Sequence, residues 1–203
     1  MNKLFNIIFK DLKKDKSIYI SLIVVFIISF LFGLFFITIL KDGDRQQLSI
    51  HINNYFDSIK NGTFIPNLKN NLLNNYIFDV IIFILGFSII GIPFIIIMLF
   101  YKSFILSFTI TSLIYNFKFD GILFSFIYVF PHLIINLLSY FFMCYYSFKL
   151  CLNLFYKVIN KSFINFNNYI KKYLFIFFVT VVLLSFSALY ETFILPYIIK
   201  IIY

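Results

Sequence analysis

Charge is scarce in this 203-residue chain: Asp, Glu, Lys and Arg make up 12% of it, about half the share of a soluble domain. That shortage excludes an ordinary water-soluble fold. Histidine and glutamate are scarcer still, with His51, His132 and the single glutamate Glu191. No Ser-His-Asp set can be assembled for an intramembrane protease, and one carboxylate cannot do paired acid–base work on a glycan. GxSxG, HExxH, CxxC and Walker sequences are all missing, so no catalytic residue is assigned. The two cysteines, Cys144 and Cys151, lie seven apart on one expected helix. Two turns separate them by about 10 Å, too far for a disulfide. Their spacing matches no metal site, so neither a metal nor a cofactor is expected and both are read as packing residues. There is no tryptophan, and the 23% aromatic content is mostly Phe, read as lipid-facing bulk. No internal repeat marks the inverted halves of a transporter.

What remains is apolar: 62% of residues, with a mean hydropathy of +0.97. Long apolar stretches cover Ile18–Leu40, Tyr76–Phe117, Ile122–Phe148 and Tyr173–Ile199. Each is long enough for a bilayer core of about 30 Å, which takes roughly 20 helical residues. The first lacks a small-x-small cleavage site and exceeds a signal peptide's apolar core, so it reads as a retained helix. The second would make a helix of about 60 Å and must fold back. The expected turn is Tyr101-Lys102-Ser103, with Lys102 snorkelling to the cytoplasmic interface. Gly91-Ile92-Pro93 is expected to kink the helix before it, because Pro93 offers no N–H to the carbonyl of Ile89.

The expectation is an all-α integral membrane protein, one domain over 1–203 with about five transmembrane helices (18–40, 76–100, 103–117, 121–148 and 173–199). The short third helix requires local bilayer thinning, and a re-entrant loop there is disfavoured. Residues 41–75 form an external loop. Within it Leu48, Ile52, Tyr55, Phe56 and Ile59 recur at amphipathic spacing, and Asn61-Gly62 ends the helix. That helix lies on the outer surface or offers a docking face. The net charge is +9, and the lysines sit between apolar spans, as orientation signals do. A nucleic-acid binder would gather them on a soluble face. Lys3, Lys10, Lys13, Lys14 and Lys16 before the first helix, and the acid-free segment 149–172, place the N-terminus in the cytoplasm. The C-terminus then lies outside. Phe5, Ile8, Phe9 and Leu12 recur at helical spacing, so the N-terminal segment is expected on the inner membrane surface.

Ionisable groups inside apolar spans are costly and are functional candidates by default. Asp79 ends a stripe Asn71, Asn75, Asp79; His132 follows Pro131 and heads a stripe His132, Asn136, Tyr140; Glu191 precedes Pro196. These groups hold helices together through hydrogen bonds, serve a translocation path, or bind a partner. Ser103, Ser107 and Thr111 form a small-residue face for close helix packing, read as internal.

Three segments carry a family resemblance. "ILGFSIIGIPFIIIMLFYKSFILSFT" (84–109) holds Gly86, then Gly91-x-Pro93, then an apolar run to Lys102. "FSFIYVFPHLIINLL" (124–138) holds Pro131, His132 and Asn136, and "YETFILP" (190–196) holds Glu191 and Pro196. In this order, with Asn75 ahead of them, they resemble the stage II sporulation protein M family. Ser103 and Ser107 stand where many members carry Gly. The resemblance implies a multi-pass protein of the mother cell's septal and engulfing membrane. It implies a non-enzymatic scaffold that anchors two peptidoglycan-degrading partners, stage II sporulation proteins D and P. The chain offers no extracytoplasmic domain able to cut a wall, which agrees with scaffolding. Neither nucleic acid nor a small-molecule substrate is expected beside the lipid bilayer. The alternative is a small transporter or permease-like subunit.

Overall fold

The computed structural model describes residues 15–64, 66–160 and 166–202. The basic residues before Asp15, with their helical periodicity, lie outside the described residues, as do Lys161 and the C-terminal Tyr203. Among the described residues eight α-helices follow one another: α1 (Lys16–Ile39), α2 (Asp42–Lys60), α3 (Leu68–Leu85), α4 (Gly91–Phe117), α5 (Phe119–Phe124), α6 (Phe130–Asn160), α7 (Phe166–Leu189) and α8 (Leu195–Ile202). Two π-helical turns join α5 to α6 (Ser125–Val129) and α7 to α8 (Tyr190–Ile194).

Among the described residues four helical runs are long and apolar enough to cross a membrane: Lys16–Ile39, Gly91–Phe117, Phe119–Ile159 and Tyr169–Ile201. Their apolar surface is not all buried. α1 buries only Leu22, Ser29, Gly33 and Ile37, one stripe turned to α4. Ile20, Val24, Ile28, Leu31, Phe35 and Ile39 stay exposed on its other sides. Water would not tolerate so continuous an apolar face; a bilayer suits it. α1 ends on Arg45, whose Nε donates to the carbonyl of Ile37 (3.0 Å) and Nη2 to that of Thr38 (2.6 Å). The guanidinium thereby satisfies last-turn carbonyls that no helical N–H can reach.

α3 is the fifth bundle helix and falls short of the others. Its 18 residues span about 27 Å, and Asn70, Asn71, Asn74 and Asn75 dilute its first half. Its contacts fix its direction. Against α7 the pairs descend, with Asn71 on Thr192, Tyr76 on Ser185, Asp79 on Thr180 and Phe83 on Phe177. Against α6 they ascend, from Asn75 with Asn136 to the carbonyl of Ile82 with Ser147 and that of Gly86 with Cys151. So α3 runs antiparallel to α7 and parallel to α6.

The turn after α3 corrects the sequence expectation. It falls at Gly86–Ile90, not at Tyr101-Lys102-Ser103. A Cβ on Gly86 would sit 2.2 Å from the Tyr173 hydroxyl, and one on Gly91 2.1 Å from the carbonyl of Leu85. Only glycine lets the chain reverse this tightly against α7 and its own preceding turn. Pro93 does not kink a helix. It is the third residue of α4, where an N–H has no intrahelical partner to lose. α4 is then one helix of 27 residues, about 40 Å long, so no short third helix exists and bilayer thinning is not needed. Lys102 lies in its middle rather than at an interface. The expected start of a helix at residue 76 moves back to Leu68, behind the Asn67 side chain that accepts from the Lys69 N–H (3.0 Å). The expected basic segment 149–172 is in part helical bundle: α6 continues to Asn160 and α7 begins at Phe166.

Asp42 and Asp44 in the first turn and Lys60 in the last complement the α2 dipole. Asn61-Gly62, with Gly62 at φ +70°, ends the helix as expected. The apolar face of α2 is not free for a partner. Phe56 and Ile59 are buried on Leu113, Phe124, Tyr128, Leu195 and Ile199, so α2 caps one end of the bundle. A second core fills the other end, around Ile82, Ile95, Leu99, Tyr140, Met143, Tyr145 and Tyr173. Asp15 lies at this second end, paired with Lys149 and 3.4 Å from the Tyr145 hydroxyl. The first and last described stretches of the chain therefore sit at opposite ends of the bundle.

Candidate functional site

The two proline-bearing helices explain how polar groups come together between the two cores. Pro131 and Pro196 each lie two residues beyond a π turn. A proline inside a helix has no N–H for the carbonyl four residues back and crowds it. The ladder answers by shifting to wider spacing: Phe130 N–H bonds the carbonyl of Ser125, and Leu195 N–H that of Tyr190. The carbonyl that Pro131 cannot meet is that of Ile127, and the Tyr190 hydroxyl donates to it (3.2 Å). Ser187 donates to the carbonyl of His132 (3.0 Å), and the His132 and Tyr190 rings stack at 6.2 Å. In an apolar medium such carbonyls must find a partner. Here both donors come from one side, Tyr190 from the second π turn and Ser187 from α7 just before it.

The polar stripes of α3 and α6 converge beside these turns. Asn136 Nδ2 donates to Asn75 Oδ1 (3.3 Å), and the Tyr140 hydroxyl to the Asn75 carbonyl (2.7 Å). Deeper in, Thr180 Oγ1 donates to Asp79 Oδ2 (2.8 Å). Asp79 is fully buried, and its Oδ1 has no partner among the described residues. Lys102 reaches in from α4. Its ammonium sits 3.6 Å from the Phe78 ring centroid and 4.7 Å from that of Tyr140, within cation–π range. Glu191 acts electrostatically on Lys102 and Tyr140, yet closes no ion pair and accepts no hydrogen bond among the described residues. Burial pushes the phenol of Tyr55 on α2 above its ordinary value, and the charge of Glu191 pushes it the same way.

Two spaces adjoin this cluster and share the Leu133 side chain. A small one of about 70 Å³ is lined by Asn75, Lys102, Asn136 and Tyr140. A larger cleft of about 320 Å³ opens between α2, α4, the two π turns and α8, with Glu191, His132 and Tyr128 in its wall. Its other walls are mostly apolar, Phe56, Leu113 and Leu195 among them.

The structure thus brings together Asn75, Asp79, Lys102, His132, Asn136 and Glu191, with Pro131 and Pro196 shaping the helices that carry two of them. Gly86, Gly91 and Pro93 lie apart, at the α3–α4 turn. Thr180, Thr192, Ser187, Tyr190 and Tyr128 were not singled out from the sequence. Their signal was small polar or phenolic residues recurring in otherwise apolar helices. Ser103 and Ser107 are fully buried and face α1, where a Cβ on Gly33 would lie 1.9 Å from Ser107 Oγ. Close packing survives serine at these positions because the glycine is on the other helix. Among the described residues no group of three His, Cys, Asp or Glu is placed to hold a metal ion.

The chain was compared with known proteins. No curated protein and no solved structure matches it. One family model does, that described as stage II sporulation protein M, over residues 22–196. The match takes in every residue of the polar cluster, both π turns and all three sequence segments that carry the resemblance, and on it the chain belongs to the stage II sporulation protein M family.

Proposed function

We propose that this protein is a non-enzymatic membrane scaffold that anchors and localises the septal peptidoglycan-degrading complex during engulfment in endospore formation. Its partners in this reading are stage II sporulation proteins D and P. The family match over 22–196 is the observation that supports it. The site's chemistry agrees: Asp79 is buried against a threonine, Lys102 lies on aromatic rings, and Glu191 has no base or nucleophile bonded to it. Orientation follows from charge. In the sequence ten lysines (Lys3, Lys10, Lys13, Lys14, Lys16, Lys149, Lys157, Lys161, Lys171 and Lys172) belong to the segments before α1 and around the α6–α7 junction, at the Asp15 end, against six basic residues at the other end, Lys41, Arg45, Lys60, Lys69, Lys118 and Lys200. The positive-inside bias then puts the Asp15 end in the cytoplasm of the mother cell and α2 outside.

The test is recovery of the two hydrolases with the full-length chain from sporulating cells. If neither is retained, the scaffold reading fails. Deleting α2 would be uninformative, because its apolar face is part of the core. Its opposite face carries Ile50, Asn54 and Asp57, all exposed. Ile50→Asp is expected to lower hydrolase recovery while leaving the bundle folded.

A second reading, a small permease-like subunit, draws on one observation: Asp79, Lys102 and Glu191 lie inside apolar helices beside two cavities. It requires solute or proton flux in liposomes that disappears in Glu191→Gln.

A further inference from the structure

The cleft at the α2 end has an unusual imbalance. Its walls are mostly apolar, and of the polar groups in them Thr109 is bonded within its own helix while Glu191 and the Tyr128 hydroxyl are not bonded. The carboxylate of Glu191 accepts no hydrogen bond from the described residues. The Tyr128 hydroxyl has no partner either, and His132 Nδ1 closes no well-formed hydrogen bond although the ring approaches the Tyr128 backbone; both side chains are more than nine-tenths buried. His51 of α2 also lines the cleft, and Lys102, which acts electrostatically on Glu191, stays on the rings of Phe78 and Tyr140.

A carboxylate held in apolar surroundings without a bonded cation is costly. What would complete the cleft is a group with several N–H donors at the tip of an apolar stem. At about 320 Å³ the space is at the lower end of ligand pockets, room for one long side chain. Arginine and lysine fit this description, with methylenes for the apolar walls and a cation for Glu191. Arginine adds donors enough for His132 and Tyr128.

We propose that this cleft is a socket for one basic side chain on a partner's transmembrane helix, with Glu191 as its counter-ion. The proposal rests on the scaffold reading above, in that it supposes a partner that shares the membrane. It assigns Glu191, His132 and Tyr128 to recognition, and leaves Asn75, Asp79, Asn136 and Tyr140 to hold the bundle.

The test uses the full-length protein in lipid nanodiscs and a synthetic single-span Leu/Ala peptide with one Arg near the outer third, beside its Gln twin. Binding is read by energy transfer between labels. The Arg peptide should bind at least about tenfold more tightly, as desolvated interfacial charge pairs do. That preference should vanish in Glu191→Gln and in Thr109→Phe, which fills the cleft and keeps the carboxylate. Thermal melts followed by circular dichroism confirm that both variants fold. Equal binding of the two peptides to the wild type, or a preference that survives Glu191→Gln, overturns the socket. So does loss of the preference when the nanodiscs carry stearylamine, which would mark a lipid amine as the occupant. If the peptides fail while the two hydrolases still co-purify, the socket falls and the scaffold stands. If the hydrolases do not co-purify, the scaffold falls by its own test.

Discussion

Gly33→Ala should loosen α1 from the bundle. α1 and α4 approach most closely at this glycine: the added Cβ would lie 1.9 Å from Ser107 Oγ, 2.7 Å from the Phe104 carbonyl oxygen and 3.2 Å from the Phe108 nitrogen. The serine can rotate away, losing its bond to the Phe104 carbonyl (3.1 Å). The Phe104 oxygen is backbone and cannot. Ordinary contact begins near 3.4 Å, so α1 must retreat by about 0.7 Å at this point. One turn earlier Ser29 donates to the carbonyl of Phe100, a bond that the retreat stretches. Overpacking of this kind costs roughly 1–3 kcal/mol, and Gly33→Leu should cost more and displace α1 outright. A cysteine pair at Phe36 and Phe104, whose rings lie 5.2 Å apart, reports the separation through oxidative cross-linking, and a detergent melt reports stability. Ser107→Gly should rescue Gly33→Ala only in part, since the carbonyl clash remains. Gly43→Ala, with nothing within 4 Å of its Cβ, is the control. If Gly33→Leu cross-links and melts like the wild type, the α1–α4 contact described here is wrong.

Thr180→Val alone should destabilise by about 1–3 kcal/mol, because it leaves a buried carboxyl oxygen without its donor, whereas Thr180→Val with Asp79→Leu should melt near the wild type; equal losses in both would refute the pairing. Tyr190→Phe, which frees the Ile127 carbonyl beside Pro131, should cost about 0.6–1.7 kcal/mol in the same melt. Pro93→Ala should cost under about 1 kcal/mol through the unfolded chain alone, since no helical bond is donated from that position; a large change would restore the kinked-helix reading. Cysteines at Asn54 and Asn116 should react with an impermeant thiol reagent from outside the cell, and one at Asn160 only from the cytoplasm. Asn116 bonds Asn53 at 2.7 Å, so a split between the first two would contradict the bundle itself.

Much of the architecture was legible because hydropathy is a one-dimensional signal. The apolar lengths marked the membrane helices, and the amphipathic spacing of Leu48 through Ile59 marked α2 and its stop at Asn61-Gly62. The α3–α4 turn was not legible in the same way. Residues 86–90 are Gly, Phe, Ser, Ile and Ile, apolar enough to read as helix interior, and Lys102 offered a conspicuous polar break sixteen residues later. The better signal was chemical: two glycines that bracket four residues, followed by a proline placed where a new helix tolerates it. Lys102 was misplaced for a related reason. A lone lysine in an apolar run ordinarily snorkels, and nothing in linear spacing shows that Phe78 and Tyr140 will supply two ring faces for it. The polar stripes on α3 and α6 were visible, but their meeting depended on helix direction, which only the corrected turn fixes. The π turns were hidden inside unbroken helical sequence and betrayed only by their prolines.

The polar cluster divides by how its members are bonded, and that division carries the functional argument. Buried charges are a poor way to gain stability: apolar residues of similar size commonly serve as well or better. Asn75, Asn136, Tyr140, Asp79 and Thr180 nevertheless repay their burial in one respect, since each bonds another helix. A slip of α3 along α6 or α7 would break several of these bonds at once, so they set register. Glu191, His132 Nδ1 and the Tyr128 hydroxyl set nothing of the kind. They close no well-formed hydrogen bond among the described residues, yet the π turns of Pro131 and Pro196 hold all three in one wall of one cleft. Groups that tie helices together belong to the scaffold's own integrity. A carboxyl left alone in an apolar wall can lose its charge by taking up a proton. A basic side chain brought by a partner is what would let Glu191 stay ionised there, and the two cases differ in whether Glu191→Gln abolishes binding.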